Sequence, residues 1–357
     1  MLYLLKNLIM KIVSVGTVAF DAIETPFGQT DKIVGGACTY ISLSAAYFNN
    51  SPHLISVVGE DFPDETIALF KERGINTEGL QIKNGEKTFF WSGKYHQDMN
   101  TRDTLDTQLN VLESFNPIVP NSYQDCDILM LGNLTPSVQM KVVQQMETRP
   151  KLIVLDTMNF WMEIAMEDLK KVIKEIDVLT INDEEARLLS GVNSLRKAAK
   201  IILEMGPKYL IIKKGEHGAL LFGDNNIFYA PALPLEEVFD PTGAGDTFAG
   251  GFVGHLSSCD TIDWEAMKKA IIVGSATKTI IRIKIMVGSA GRVCILMCVL
   301  VGKITLAQDM SRVSIEGLDK PVEILKDRWG ISHIYAETCL LYTSDAADDT
   351  PCVDLGG

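Results

Sequence analysis

The sequence of 357 residues lacks the marks of several protein classes. Its seven cysteines include no CxxC pair and no histidine partner at zinc-ligand spacing, which excludes a disulfide scaffold and a zinc module. The apolar runs at residues 1–10 and 293–302 are too short to span a bilayer. Basic residues are few, 33 against 46 acidic, and the net charge of −13 disfavours nucleic acid and anionic membranes as partners. We expect a reduced, cytoplasmic globular protein.

Short β-branched runs alternate with amphipathic stretches between residues 10 and 280. The predicted strands are Lys11–Gly16, Leu54–Gly59, Asp127–Gly132, Leu152–Asp156, Ile176–Ile181 and Tyr209–Lys213. Helices are predicted between them, at Asp64–Arg73, from Thr135 with Pro136 in the first turn, and at Ser194–Met205. This alternation is typical of βαβ units, so the sequence predicts an α/β fold with a doubly wound, mostly parallel sheet flanked by helices.

Residues 87–112 break this alternation, and together with residues 20–34 they predict a small β flap outside the main sheet. The 87–112 segment is rich in threonine and aromatic residues and has no helical stripe. Its aromatic cluster either stacks on a sugar or base or forms a strand with one buried face; the members are Phe89, Phe90, Trp91 and Tyr95. Lys94 and Arg102 are either surface charges or contacts for a phosphorylated substrate.

The sharpest motif is DPTGAGDTFAGGF, from Asp240 to Phe252. Gly243 and Gly245 bracket Ala244, so we expect the three backbone amides to point into one space at the N-terminus of a helix and form an anion site. Asp246 follows directly, where a carboxylate can accept the proton of a substrate hydroxyl as it attacks a phosphoryl group. For these residues alone, a glycine turn with Asp246 as a helix cap is the alternative.

The motif closely resembles the carboxy-terminal signature of the phosphofructokinase B family of ribokinase-like sugar kinases. The resemblance implies ATP-dependent phosphorylation of a sugar hydroxyl, with ATP and Mg²⁺ as cofactors. It also implies that Asp246 is the base, that the amides of Gly243, Ala244 and Gly245 neutralise charge on the transferred phosphoryl group, and that Thr242 contacts the nucleotide.

Further matches follow in the family's order over most of residues 10–276. Asn182 and Glu185 match its NxxE motif, which helps to place Mg²⁺ and phosphate through water, and this makes Glu185 the metal candidate. An Asn cap at an acidic helix start is the alternative. Gly215 and Gly218 match the family's GxxG turn beside the nucleotide. Lys214 stands where the family often has Thr and is a candidate contact for the nucleotide phosphates.

The predicted acceptor side lies near the amino end. Asp21 matches the family position that holds substrate hydroxyls, and Gly35–Gly36 matches the turn that lets substrate approach the next helix. As an alternative, both are ordinary loop residues. Asn133 follows a predicted strand and is a further substrate candidate, because ligands gather beyond the carboxyl ends of parallel strands. The sequence departs from the family after Gly36, so a sugar and a nucleoside both remain open as acceptors.

The pattern changes after residue 280. Four of the seven cysteines lie there, and residues 286–302 have the layout of a secretory signal. Ile315–Glu337 resembles the beginning of the mature penicillin acylases, and Cys339–Gly357 looks like translated sequencing-adapter sequence. We therefore expect a kinase domain over residues 10–280 and a foreign segment over 281–357.

The changed segment leaves the activity and assembly open. Chains of the family normally continue with a segment that shelters the adenine. A nucleotide-binding but inactive protein is therefore one alternative to a sugar kinase. A nucleoside kinase of the same fold is the other, because the acceptor side departs from the family. A homodimer formed through the flap is a further expectation.

Overall fold

A computed structural model describes residues 9–49, 51–232, 238 and 240–280, together with short strands beyond residue 285. Its main sheet contains, in spatial order, β6 (Asn76–Lys83), β5 (His53–Gly59), β1 (Ile12–Val15), β9 (Ile128–Leu131), β10 (Leu152–Asp156), β11 (Val178–Asn182), β12 (Tyr209–Lys213), β13 (Ala219–Gly223) and β14 (Asn226–Ala230). Neighbours from β6 to β12 are parallel, whereas β13 and β14 are antiparallel. The predicted strands all lie in this sheet, and the predicted doubly wound α/β fold is confirmed.

Helices cover both faces of the sheet. One face carries α1 (Ala37–Ala45), α8 (Ala244–Ser257) and α9 (Trp264–Ile280), and the other carries α3 (Pro136–Gln144), α4 (Asn159–Ile164), α5 (Met166–Glu175), α6 (Asp183–Ser190) and α7 (Leu195–Leu203). Helix α2 (Asp64–Glu72) adds Phe70 to a third core cluster. Along β1, Ile12 packs under α1 and α8 while Val13 and Val15 pack on the opposite face. Burial on both faces explains why the strands are continuous apolar runs.

A second sheet corresponds to the predicted flap. It is built from β2 (Ala19–Thr25), β3 (Gly28–Gln29), β4 (Ile33–Gly35), β7 (Phe90–Tyr95) and β8 (Arg102–Gln108). Strand β2 pairs in parallel with β7, and β7 pairs antiparallel with β8. Single-turn helices lie at Asn110–Leu112, Asn121–Tyr123 and Gly215–His217. The flap joins the main body through β4, which leads directly into α1.

Beyond residue 285, strands β15 (Met286–Val287) and β16 (Val293–Cys294) form one antiparallel pair. Strands β17 (Asp309–Val313), β18 (Val322–Lys326) and β19 (Ser332–Ala336) form an antiparallel set whose last strand pairs with β14, with Tyr335 opposite Phe228. The other residues of the segment predicted to be foreign lie outside those described. Within the described ranges, no helix is both long and apolar enough to cross a membrane.

Candidate active site

The carboxyl ends of β10 and β12 bring a buried ion pair to the sheet edge that faces α8. Asp156 ends β10 and Lys213 ends β12, and Lys213 Nζ lies 3.0 Å from both carboxylate oxygens of Asp156. A Cβ built on Gly245 would lie 3.2 Å from that Nζ, so the ammonium group lies against the first turn of α8. Burial alone would lower the pKa of Lys213, but the carboxylates of Asp156 and Glu185 outweigh it and raise the pKa. Lys213 therefore stays charged at neutral pH.

The turn before α8 has the backbone geometry that glycine permits. Gly243 caps the helix with φ of 70°, and a Cβ there would overlap the ring of Tyr40. The N–H groups in the first turn of a helix have no acceptor inside that helix, which leaves the Gly245 amide available to an anion. The Ala244 amide, by contrast, donates to the carbonyl of Pro241 at 3.1 Å. The Ala244 amide, one of the three predicted anion donors, thus already donates a hydrogen bond within the turn.

Asp246 lies in the first turn of α8, half-buried, within the electrostatic reach of the ion pair. Burial raises the pKa of Asp246 to about 7, and the carboxylate of Asp156 adds to the rise. The charges of Lys213 and Arg102 act in the opposite direction. A carboxyl group with this pKa changes protonation near neutral pH, which suits a general base.

Asp21 and the two predicted glycines come together on the flap side of the site. Asp21 lies in β2 and is only 6% exposed, and a Cβ on Gly35 would overlap its carboxylate. Burial raises the pKa of Asp21 to about 7; a hydrogen bond from the Gly36 amide opposes the rise, and the nearby Asp246 and Asp240 add to it. Asp21 therefore lies in strand β2, Gly35 ends β4, and Gly36 immediately precedes α1. The alternative that Asp21 is an ordinary loop residue is wrong.

Asn182 and Glu185 form a capping box at the start of α6. The Glu185 amide donates to Asn182 Oδ1 and the Asn182 amide donates to Glu185 Oε2, each at 2.7 Å. Burial raises the pKa of Glu185 to about 7, whereas Lys213 and the Asn182 amide oppose the rise. The structure therefore contains the helix cap that the alternative expected. The Glu185 carboxylate also interacts electrostatically with the Asp156–Lys213 ion pair.

The remaining nucleotide-side candidates lie where β12 turns into β13. Gly215 and Gly218 have φ of 54° and 84°, and the Lys214 amide closes the turn by donating to the Gly218 carbonyl at 2.8 Å. A Cβ on Gly215 would lie 2.9 Å from Oδ1 of Asn100, in the turn between β7 and β8. The tip of the flap therefore reaches the predicted nucleotide turn.

Three other candidate site residues, Thr242, Asn133 and Lys94, make different side-chain contacts. Thr242 Oγ1 lies 3.3 Å from the hydroxyl of Tyr95 and donates to it, which links the turn before α8 to the flap. Asn133 lies beyond β9, but its Oδ1 accepts a hydrogen bond from Trp161 Nε1 at 2.8 Å. Lys94 forms an exposed ion pair with Glu24 at 2.6 Å, as the surface-charge alternative expected.

Residues 10–281 match the family described as pfkB family carbohydrate kinase. The chain belongs to this family. Membership confirms the expected ribokinase-like fold and the kinase reaction on a hydroxyl group.

Several relatives of this pfkB-family kinase are described as cytidine or nucleoside kinases. It is 29% identical over 254 residues to a cytidine kinase of Thermococcus kodakarensis, a match covering 70% of this chain and 89% of that one. It is 24% identical to a nucleoside kinase of Methanothermobacter thermautotrophicus, covering 70% and 84%. The structure of a Methanocaldococcus jannaschii nucleoside kinase superposes with a TM-score of 0.61 at 21% identity, covering 76% and 91%.

A solved relative also bears on the cofactors. A putative ribokinase II from E. coli, in complex with ATP and Mg²⁺, superposes with a TM-score of 0.62 at 22% identity, covering 74% of this chain and 92% of that one. In the kinase described here, Asp156, Glu185 and Asp246 offer the hard oxygen donors that Mg²⁺ prefers. The described residues contain no group of three or more His, Cys, Asp or Glu able to hold a metal ion. This donor set fits an ion held mainly by water and by nucleotide phosphates.

The Asp156–Lys213 ion pair was not predicted from the sequence. Both residues end strands that were predicted with those boundaries, so the rule that singled out Asn133 applied to them equally. The signal was therefore available, but the contact joins residues 57 positions apart and depends on the spatial order of β10, β11 and β12.

Proposed function

We propose that this kinase transfers the γ-phosphoryl group of ATP to a hydroxyl group of a sugar or nucleoside, with Asp246 as the base. The hydroxyl oxygen bonds to the γ-phosphorus, its proton passes to the Asp246 carboxylate, and the bond to the β–γ bridging oxygen breaks to leave ADP. The observation that carries the proposal is the half-buried Asp246 carboxyl beside Lys213, with a pKa raised to about 7 by burial.

Positive charge and amide dipoles at the start of α8 stabilise the transferred group in this proposal. The Gly243 and Gly245 amides point the positive end of the helix at the phosphoryl oxygens, and the carbonyl of Pro241 competes for the Ala244 amide. Lys213 supports the same site, because its ammonium group lies against Gly245.

The nucleotide side is proposed from the turns around β11 and β12. Lys214, Gly215, Gly218 and Thr242 contact the nucleotide, and Asn182 with Glu185 holds Mg²⁺ through water. When bound, Mg²⁺ would neutralise charge on the β- and γ-phosphates. The capping box supports this role, because it fixes the Glu185 carboxylate at one position.

The acceptor side is proposed from the flap. Asp21, backed by Gly35 and Gly36, orients the acceptor hydroxyls for in-line attack, and Asn133 is a further contact. A nucleoside as acceptor is favoured by the similarity to the Thermococcus cytidine kinase.

Assembly, location and domain limits belong to the same proposal. A homodimer through the flap is supported by β8, all of whose residues are exposed. A cytoplasmic location is supported by the free thiols of Cys38, Cys126 and Cys259 among the described residues. Residues 10–280 are proposed as the kinase domain and residues 281–357 as foreign to it.

A panel of acceptors tests the function. The full chain is incubated with γ-labelled ATP, Mg²⁺ and one pentose, hexose or nucleoside at a time. We predict label transfer to at least one acceptor class, abolished when EDTA removes the Mg²⁺. Binding of ATP without transfer to any acceptor would favour the nucleotide-binding but inactive alternative and overturn the proposal.

A further inference from the structure

The ammonium group of Lys213 is a cation that the buried carboxylates of the site share. Its Nζ lies 3.0 Å from both carboxylate oxygens of Asp156, whose side chain is only 7% exposed. Burial opposes the charge of Lys213, but the carboxylates of Asp156, Glu185 and Asp246 outweigh it and raise the pKa of Lys213. One positive charge of the chain itself therefore neutralises part of a buried group of carboxylates.

Thr180 adds an uncharged oxygen atom beside Asp156. The two residues are direct partners in the parallel pairing of β10 with β11. Val154 and Val178, two positions earlier in these strands, pack in the core cluster under α8, so the side chains of Asp156 and Thr180 point to the same face. Thr180 is fully buried, and its hydroxyl has no hydrogen-bond partner among the residues that the structure describes. A buried hydroxyl of this kind points to a water molecule or an ion in contact with it.

These oxygen atoms are the donors that Mg²⁺ prefers, yet Lys213 already pairs with one of the carboxylates. A divalent ion that bound Asp156 directly would lie close to the ammonium group. The two cations would then repel each other, and burial from water would make this repulsion strong. The phosphates of ATP remove the conflict, because their negative charge stabilises both the ion and the ammonium group.

We propose that Lys213 prevents the carboxylates of Asp156 and Glu185 from binding a divalent cation on their own, so that Mg²⁺ enters the site only together with ATP. The inference rests on the proposed function and deepens it by naming what regulates the metal site. Lys213 also makes the site less negative, which favours the approach of the anionic complex of Mg²⁺ with ATP. Once ATP is bound, the same ion is present in the site with or without Lys213.

Metal binding in the absence of nucleotide tests the inference. The probe is Mn²⁺, which takes the same oxygen ligands as Mg²⁺ and whose free form gives an EPR signal that is lost on binding. Without ATP, we expect no binding to the unsubstituted chain up to about 1 mM Mn²⁺, and one ion bound at least about 10-fold more tightly by Lys213→Met. Lys213→Gln keeps a hydrogen-bond donor for Asp156 without the charge and should show the same gain. Lys214→Met is the matched control, since it loses one positive charge at the next position, and it should bind as weakly as the unsubstituted chain.

A second substitution and a stability measurement show where the ion binds. Adding Asp156→Asn to Lys213→Met should abolish the gain in Mn²⁺ binding. About 1 mM Mn²⁺ should raise the Tm of Lys213→Met by about 3 °C or more and leave that of the unsubstituted chain unchanged.

The inference and the proposed function fail in different ways, because none of these measurements needs phosphoryl transfer. If no acceptor is phosphorylated but the Lys213 variants gain Mn²⁺ binding, the proposed function fails and the role of Lys213 stands. Tight binding of Mn²⁺ to the unsubstituted chain without ATP, or no gain in either Lys213 variant, would overturn the inference whatever the turnover.

Discussion

At the scale of single residues, the site gathers the carboxyl groups of Asp21, Asp156, Glu185 and Asp246 around the ammonium group of Lys213. Burial raises the pKa of Asp21, Glu185 and Asp246 to about 7. These carboxyl groups therefore change charge near neutral pH, whereas exposed carboxyl groups do so near pH 4. Activity that needs the ionised form of Asp246 should then rise as pH increases through about 7.

Lys213 should determine the pH at which activity rises, because its charge affects the pKa of Asp246. Its charge lowers the pKa of Asp246, so in Lys213→Met the pKa of Asp246 should increase. We predict that the acidic limb of the kcat/KM–pH profile, near pH 7 in the unsubstituted kinase, moves up by about one unit, which lowers kcat/KM at pH 7 by about 5-fold. Profiles measured from pH 5 to 9 with saturating Mg²⁺ and ATP check this.

The neighbouring lysine provides the control for this prediction. Lys214→Met removes one positive charge at the next position, outside the ion pair with Asp156, and should leave the limb in place. An unmoved limb in Lys213→Met, or an equal shift in both variants, would show that the ion pair does not act on Asp246.

At the scale of elements, the strands were predictable because buried parallel strands are continuous apolar runs, and β10 and β12 begin and end where predicted. The pairing between strands was not predictable. Placing Trp91 opposite Asp21 requires that β2 pair in parallel with β7, across the intervening β3, β4, α1, β5, α2 and β6. Local sequence patterns specify which face of a strand is buried, but not which distant strand lies beside it. The glycine turn before α8 was predictable because only glycine adopts its φ readily.

That turn gives a prediction at the element scale. In Gly243→Ala, the alanine must adopt the positive φ of 70°. Its Cβ would also overlap the ring of Tyr40. We predict a loss of about 2–4 kcal/mol in the free energy of unfolding and a loss of most kinase activity, because the start of α8 must move. Urea unfolding and the kinase assay measure the two effects.

Gly191→Ala is the control for backbone strain alone. Gly191 ends α6 with φ of 73°, and a Cβ there would meet nothing within 4 Å. It should cost about 1 kcal/mol and leave activity unchanged. Equal losses in the two variants would mean that the contact with Tyr40 is unimportant.

At the scale of the whole molecule, the core clusters draw on residues from Met10 to Ile272. Strand β19 adds to the edge of the sheet at β14. The described helices that cover the two faces of the sheet end at Ile280, which supports the proposed domain limit. The sequence predicts the same limit, because the βαβ alternation stops there.

Truncation tests the domain limit. A chain that ends at Ile280 should unfold cooperatively with a Tm within about 3 °C of the full chain, because the core clusters of the described residues extend no further than Ile272. Differential scanning calorimetry of the two chains measures this. A much lower Tm in the shorter chain would mean that β17 to β19 are integral to the sheet.

The account depends most on Asp246 as the base, and Asp246→Asn tests this most directly. The amide keeps the shape but cannot accept the hydroxyl proton, so we predict that kcat falls about 10²–10⁴-fold while the Kd for ATP, measured by calorimetry, stays within about 3-fold. Asp240→Asn is the control, because Asp240 lies in the same turn and its side chain accepts a hydrogen bond from the Thr242 amide, which the Asn oxygen can also do. It should keep most of the activity. Near-normal turnover by Asp246→Asn would contradict the account.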